Sequence, residues 1–180
     1  MIEKIKEIVR KECEKDNWSW DYHMVSVVKY ANKLAEKLGA NKEIVEVSAW
    51  LHDITRLKGD PENHHISGPI EAETILKQLN YPQDKIEKVK HCIHAHRGSQ
   101  SIKRETIEAE CVASADAMAH FDNVPALFYV AFVKKQLTIE EGKNWVRDKL
   151  ERSWKKLIPE AKEIVLPKYE AVKLLLEEQN

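Results

Sequence analysis

The side chains able to do chemistry are concentrated in one part of the chain. Of eight histidines, seven fall between His23 and His96, and the last is His120. His52 and Asp53 stand side by side in SAWLHDITR, at the end of a run of small and apolar residues, with Arg56 three positions on. His64 and His65 are adjacent just ahead of a helical pattern, and His91, His94 and His96 gather near the end of another. Asp116 lies within CVASADAMAHF, with small and apolar neighbours on both sides. That pattern predicts burial, and a buried carboxylate needs a cation, a metal or several hydrogen-bond donors. Imidazole nitrogens mixed with one or two carboxylates suit Mn, Fe, Co, Ni or Zn, whereas all-oxygen sites suit Mg or Ca. Each residue alone has a plainer account: a histidine closing a helix, followed by a cap-like aspartate, is ordinary. The set as a whole argues for a metal site built between helices.

The elements that would position these residues read as helices nearly throughout. In residues 24–38, Val27, Val28, Ala31, Leu34, Ala35 and Leu38 share a face, and Gly39 follows as a stop. Asn41 is placed to cap a second helix carrying Ile44, Val45, Val47, Ala49, Trp50 and Leu51. Gly59 and Pro61 make residues 57–66 a loop, and a third helix is predicted from Ser67 to Leu79. Pro82 suits the first turn of a helix ending near Arg97–Gly98. After a polar loop over 99–104, helices are predicted from Thr106 to His120 and over 123–136, 139–157 and 160–178. Few runs alternate with period two, so the predicted fold is all-α, a helical bundle with a C-terminal helical annex. That annex is rich in Lys and Glu, carries no histidine, and reads as structural rather than chemical.

The order His23, His52–Asp53, Asp116 resembles the HD superfamily of metal-dependent phosphohydrolases, over roughly residues 18–125. DYHMVSVVKYANKLA resembles the family's first-histidine helix, and VSAWLHDITR its small-apolar LHD segment. HHISGPIEAETIL, CIHAHRGS and TIEAECVASADAM are similar to three further ordered segments. A lone HD dipeptide would carry nothing; five ordered matches are specific. The small bacterial members acting on nucleotides or similar phosphate esters are the most similar. The resemblance sets the core at 18–125, with residues 1–17 and 126–180 as flanking helices packed on the same domain.

What the resemblance implies is concrete. His23, His52, Asp53 and Asp116 bind one divalent metal, a first-row transition ion (Mn, Fe, Co, Ni or Zn) by donor type, with Mg also open. The ion lowers the pKa of a bound water and polarises a phosphoryl oxygen, with Asp53 placed between metal and water. His64 and His96 fall where two-metal members carry extra ligands; they would bind a second metal, contact phosphate or protonate the leaving oxygen. His65 and His91 are weaker candidates for the second metal, and spacing leaves His64 and His65 as alternatives. Arg56 takes the place of a lysine in several members and is a candidate phosphate clamp; Arg97, Lys103 and Arg104 are further candidates. Ala117, Met118 and Ala119 follow Asp116 where close relatives often carry charged residues, a departure that bears on substrate choice. His94 and His120 are expected outside the site, and the tryptophans in the core.

Composition narrows the remaining classes. At 180 residues, 43% hydrophobic and 33% charged, the chain suits one globular domain. A net charge of −1 gives no electrostatic footprint for duplex nucleic acid. Three cysteines without a CxxC pair argue against a disulfide framework and for a reducing cytoplasm, and the N-terminal MIEKIKEIVRKECEKDNW lacks the apolar core of a signal peptide. No membrane partner is expected, and both monomer and homodimer are compatible with the sequence. The expected enzyme is therefore a hydrolase of a small phosphorylated substrate. The alternative is a metal-dependent nucleotide-binding or sensor domain without turnover.

Overall fold

A computed structural model describes residues 1–16, 18–97 and 102–176. Among these the fold is all-α, with no strand. Ten α-helices follow in order: α1 (Ile2–Cys13), α2 (Val25–Leu38), α3 (Lys42–Leu51), α4 (Ile54–Leu57), α5 (His64–Gln78), α6 (Gln83–Ala95), α7 (Ile107–Asp122), α8 (Val124–Tyr129), α9 (Ile139–Lys156) and α10 (Pro159–Leu176). Two π-helical turns, Trp20–Met24 and Val130–Lys134, lead into α2 and out of α8.

The caps follow the sequence. The Asn41 side chain accepts from the Ile44 N–H, Thr106 accepts from the Ala109 N–H, and Thr138 with Glu141 forms a reciprocal capping box. Gly39 ends α2 at φ 68°, a left-handed conformation that an L side chain rarely adopts.

The organising helix is α7. Ala109, Cys111, Val112, Ala113, Ser114, Ala115, Ala117, Met118 and Ala119 are all buried, so apolar character runs around the helix. Their small size lets neighbours approach closely, and α7 packs against α2, α3, α6, α9 and α10. Asp116 sits mid-helix in this packed element, partly buried, and lines a cavity. The α5–α6 pair is equally close at one point: a Cβ on Gly68 would lie 3.1 Å from Ile93 Cγ2.

Three boundaries differ from expectation. Residues 57–66 are not all loop: α4 continues to Leu57, and α5 begins at His64 rather than Ser67. The Ser67 hydroxyl bonding Asp60 and the Asn63 carbonyl closes that earlier turn. Pro82 is the residue before α6 rather than its first. The predicted helix end near Gly98, part of the 99–104 loop and the end of the 160–178 helix lie outside the described residues. No helix among the described residues is long and apolar enough to cross a membrane.

Candidate metal centre

Local backbone breaks are what turn the ligand-type residues inward. His23 sits in the π-helical turn ahead of α2. His52 closes α3, and Asp53, at φ −111° and ψ 15°, leaves helical geometry before α4 starts. Neighbours within one helix diverge by about 100°; this break lets two consecutive side chains face one centre. His64 opens α5 and His96 closes α6, so both come from helix ends.

The donor atoms converge. His23 Nε2 lies 3.3 Å from His52 Nε2, 3.4 Å from Asp53 Oδ2 and 3.5 Å from Asp116 Oδ1. His52 Nε2 lies 3.5 Å from Asp53 Oδ2 and 3.9 Å from Asp116 Oδ1. Ligands about 2.1 Å from a tetrahedral ion sit about 3.4 Å apart, so these spacings fit a shared ion. The other oxygen of Asp53 faces a second histidine pair, with Oδ1 3.5 Å from His64 Nε2 and 3.8 Å from His96 Nε2.

The tautomers suit ligation. The Nδ1 atoms of His52, His64 and His96 lie 2.7, 2.8 and 2.6 Å from the carbonyl oxygens of Ala49, Pro61 and Ile93. Carbonyls only accept, so each Nδ1 carries the proton and each Nε2 lone pair faces the cluster. For two of them burial favours the neutral form: it lowers His52, and with the neighbouring His52 it pushes His96 down to about 3.

The carboxylates are ionised. Burial works to raise both, but Arg56, His52 and His23 hold Asp53 well below the usual range, and Lys156 with the surrounding histidines does the same for Asp116. Arg56 Nε lies 2.5 Å from Asp53 Oδ2, and Lys156 Nζ lies 2.5 Å from Asp116 Oδ2. Asp116 thus gives one oxygen to Lys156 and the other to His23 and His52, whereas Asp53 Oδ2 is shared between Arg56 and that histidine pair.

The remaining candidates separate clearly. The α5 entry presents His64, not His65, to Asp53; His65 Nδ1 instead lies 3.0 Å from Arg97, and burial lowers its pKa. His91 Nε2 accepts the Glu105 N–H at 3.0 Å and His94 Nδ1 donates to the His65 carbonyl, so neither joins the cluster. Arg104 pairs with Glu110 at 2.8 Å, and neither Arg104 nor Lys103 lines the cavity beside the cluster. Arg56 and Arg97 do line it.

Sequence reasoning missed His120. Its ring stacks on His23 with centroids 5.7 Å apart, and it forms a ligand-type group with His23 and Asp116. The Ser153 hydroxyl donates to the Lys149 carbonyl and so accepts from His120 Nδ1 at 3.0 Å. This leaves Nε2 of His120 unprotonated. The available signal was spacing, since His120 is four residues after Asp116 and shares its helix face.

The expected annex also reaches the site. A cavity of about 420 Å³ lies over the cluster, within the range of small-molecule sites. α9 supplies one wall with Trp145, Lys149, Arg152, Ser153 and Lys156. Trp18, beside the Arg56 guanidinium at 5.7 Å, and the apolar Leu127 and Val130 also line it. Trp20 and Trp50 stack on one another at 5.2 Å instead.

The profile of the HD domain matches residues 20–120, over half of the chain, and the chain belongs to that family. It is 31% identical over 124 residues to ribonuclease Y of Fusobacterium nucleatum, covering 68% of this chain and 23% of that protein. It is 36% identical over 85 residues to an uncharacterised protein of Clostridium beijerinckii, covering 44% of this chain and 53% of that one. The chain thus spans well under two thirds of either relative. Two crystal structures share the fold. An HD-superfamily hydrolase from Bacillus thuringiensis has a TM-score of 0.73 at 23% identity, with 97% of this chain and 92% of the other covered. A predicted HD-superfamily hydrolase from an uncultured Thermotogales bacterium has a TM-score of 0.55 at 19% identity, with 83% and 84% covered.

Proposed function

We propose that this chain is a divalent-metal-dependent phosphohydrolase acting on a phosphate ester or anhydride of a small substrate, with a nucleotide as the best fit. The observation that carries this reading is the two-sided Asp53 carboxylate, which faces His23 and His52 with one oxygen and His64 and His96 with the other. His23, His52, Asp53 and Asp116 would hold one ion, and His64, His96 and Asp53 a second. The mix of imidazole and carboxylate donors favours a first-row transition metal over Mg. When bound, such an ion lowers the pKa of water and polarises a phosphoryl oxygen.

The chain's own groups supply the rest. Arg56 fixes Asp53 through Nε, while its buried Nη2 has no partner among the described residues, leaving a donor for a phosphoryl oxygen. With a single ion bound, His64 Nε2 would first take up a proton and then deliver it to the leaving oxygen. Trp18, Trp145, Leu127 and Val130 give the cavity a wall able to exclude water and cover a planar or apolar substrate moiety. The hydrolase names of the two structural neighbours agree with this reading. The ribonuclease among the relatives makes RNA phosphodiesters a substrate class to include in the test. The three cysteines are free and buried, which suits a cytoplasmic setting.

The test is a phosphate-release screen over nucleoside mono-, di- and triphosphates and a short RNA. Mn, Co, Ni, Fe and Mg are added separately, and bound metal is counted in parallel. Metal-dependent release that a chelator abolishes is expected. Tight metal and nucleotide binding without turnover would replace the enzyme by a sensor. Failure to bind any of these metals would overturn both readings.

A further inference from the structure

One wall of the cavity carries cations that the candidate metal centre engages only in part. Lys149, Arg152 and Lys156 come from a single helix, α9, at spacings of three and four residues that put them on one face. All three line the cavity. Lys156 is neutralised by Asp116 at 2.5 Å. Lys149 and Arg152 make no ion pair and no side-chain hydrogen bond among the described residues. They stand beside a third cation in a chain whose net charge is only −1.

Burying the Lys149 ammonium without a paired anion is unfavourable. Burial works against the Lys149 ammonium and lowers its pKa; Asp116 and Asp53 oppose that lowering, and Lys156 and Arg152 add to it. A solvated surface lysine carries no such cost. Arg152 is exposed while lining the same cavity. From Lys156 to Lys149 the helix rises about 10 Å. This is a span suited to linked anionic groups rather than to one orthophosphate. α9 also lies beyond residues 20–120, the part of the chain that matches the HD domain.

We propose that Lys149 and Arg152 form an anion subsite beside the metal centre, selecting substrates that carry a second anionic group next to the one cleaved. Phosphoanhydrides and bisphosphorylated metabolites are the chemical classes that fit. The proposal rests on the functional reading above for the position of the reacting phosphate. Lys149 and Arg152 act as charge-assisted donors to the group that is not cleaved, and Trp145 on the same helix flanks them in the cavity.

The test is calorimetric titration of Mn-loaded protein with orthophosphate, pyrophosphate and tripolyphosphate, with bound Mn counted after each run. Wild type is expected to bind tripolyphosphate at least about tenfold more tightly than orthophosphate. Combined Lys149→Gln and Arg152→Gln should erase that advantage and leave orthophosphate unchanged, while Lys149→Arg keeps it. A double variant that keeps the full advantage overturns the subsite. Absence of any orthophosphate binding would count against the metal-centre reading instead. In that case tripolyphosphate is titrated into metal-free wild type and double variant: weaker binding by the variant supports the subsite, and equal binding overturns it.

Discussion

Lys156 Nζ lies 2.5 Å from Asp116 Oδ2, joining the last turn of α9 to the middle of α7 across 40 residues of sequence. The other oxygen of Asp116 faces His23 and His52. Lys156 therefore compensates the central carboxylate from behind while leaving its ligand edge open. Its side chain is only 7% exposed, so removing it strands a buried charge. Lys156→Met is expected to destabilise the metal-free protein by about 3 kcal/mol, and added Mn should recover part of the loss. Thermal melts with and without Mn check this; an equal loss in both conditions would sink the idea that the two cations share one carboxylate.

Asp53 is the residue common to both histidine pairs. Asp53→Asn removes its negative charge and half its acceptor capacity while keeping its shape. Metal affinity and metal-dependent phosphate release should each fall about a hundredfold or more. His96→Ala should spare the ion at His23 and His52 and lose only a weaker class of bound metal. Elemental analysis after dialysis separates the two variants. Identical metal contents would refute the two-sided reading of Asp53.

Acid should destabilise the chelator-treated protein before it affects the carboxylates. Burial sets the folded-state pKa of His52 and His96 below the ordinary value, to about 3 for His96. Below about pH 6.5 the unfolded chain therefore binds protons that the folded chain refuses, and stability falls as pH falls. From pH 7.5 to 5.5 His96 should cost about 1 kcal/mol, and His52 adds in the same direction. Asp53 and Asp116, held low, add their loss only below about pH 4, as pH drops through their folded-state values. A melting temperature that does not change between pH 7.5 and 5.5 would contradict the buried neutral imidazoles.

The thiols should be inert while the protein is folded. Burial pushes Cys13, Cys92 and Cys111 up to about 12, and all three side chains are inaccessible. A thiol reagent at pH 8 should label none of them quickly, then all three once the protein is unfolded in denaturant. Rapid labelling of one thiol in the native state would show that its helix opens readily.

The sequence by itself determined the helical class and the ligand types. Period-3.6 patterns around Val27–Leu38 and Ile44–Leu51 had one physical outcome, and caps at Asn41, Thr106 and Thr138 are local interactions. The order of His23, His52, Asp53 and Asp116 was likewise readable, because the residues are few and their apolar contexts strong. Only the tertiary structure decided which neighbours share a cavity. His64 or His65 turned on the start of α5, a boundary set by hydrogen bonds among Asp60, Asn63 and Ser67. His120 became part of the site through stacking on His23 and a bond to Ser153, and Lys156 through an ion pair with Asp116. Along the chain α9 reads as a solvated Lys/Glu helix, because one helix's pattern records its own faces and not what is packed opposite them. The contact between α7 and α9 is what turns three of its cations toward the cavity over the His/Asp cluster.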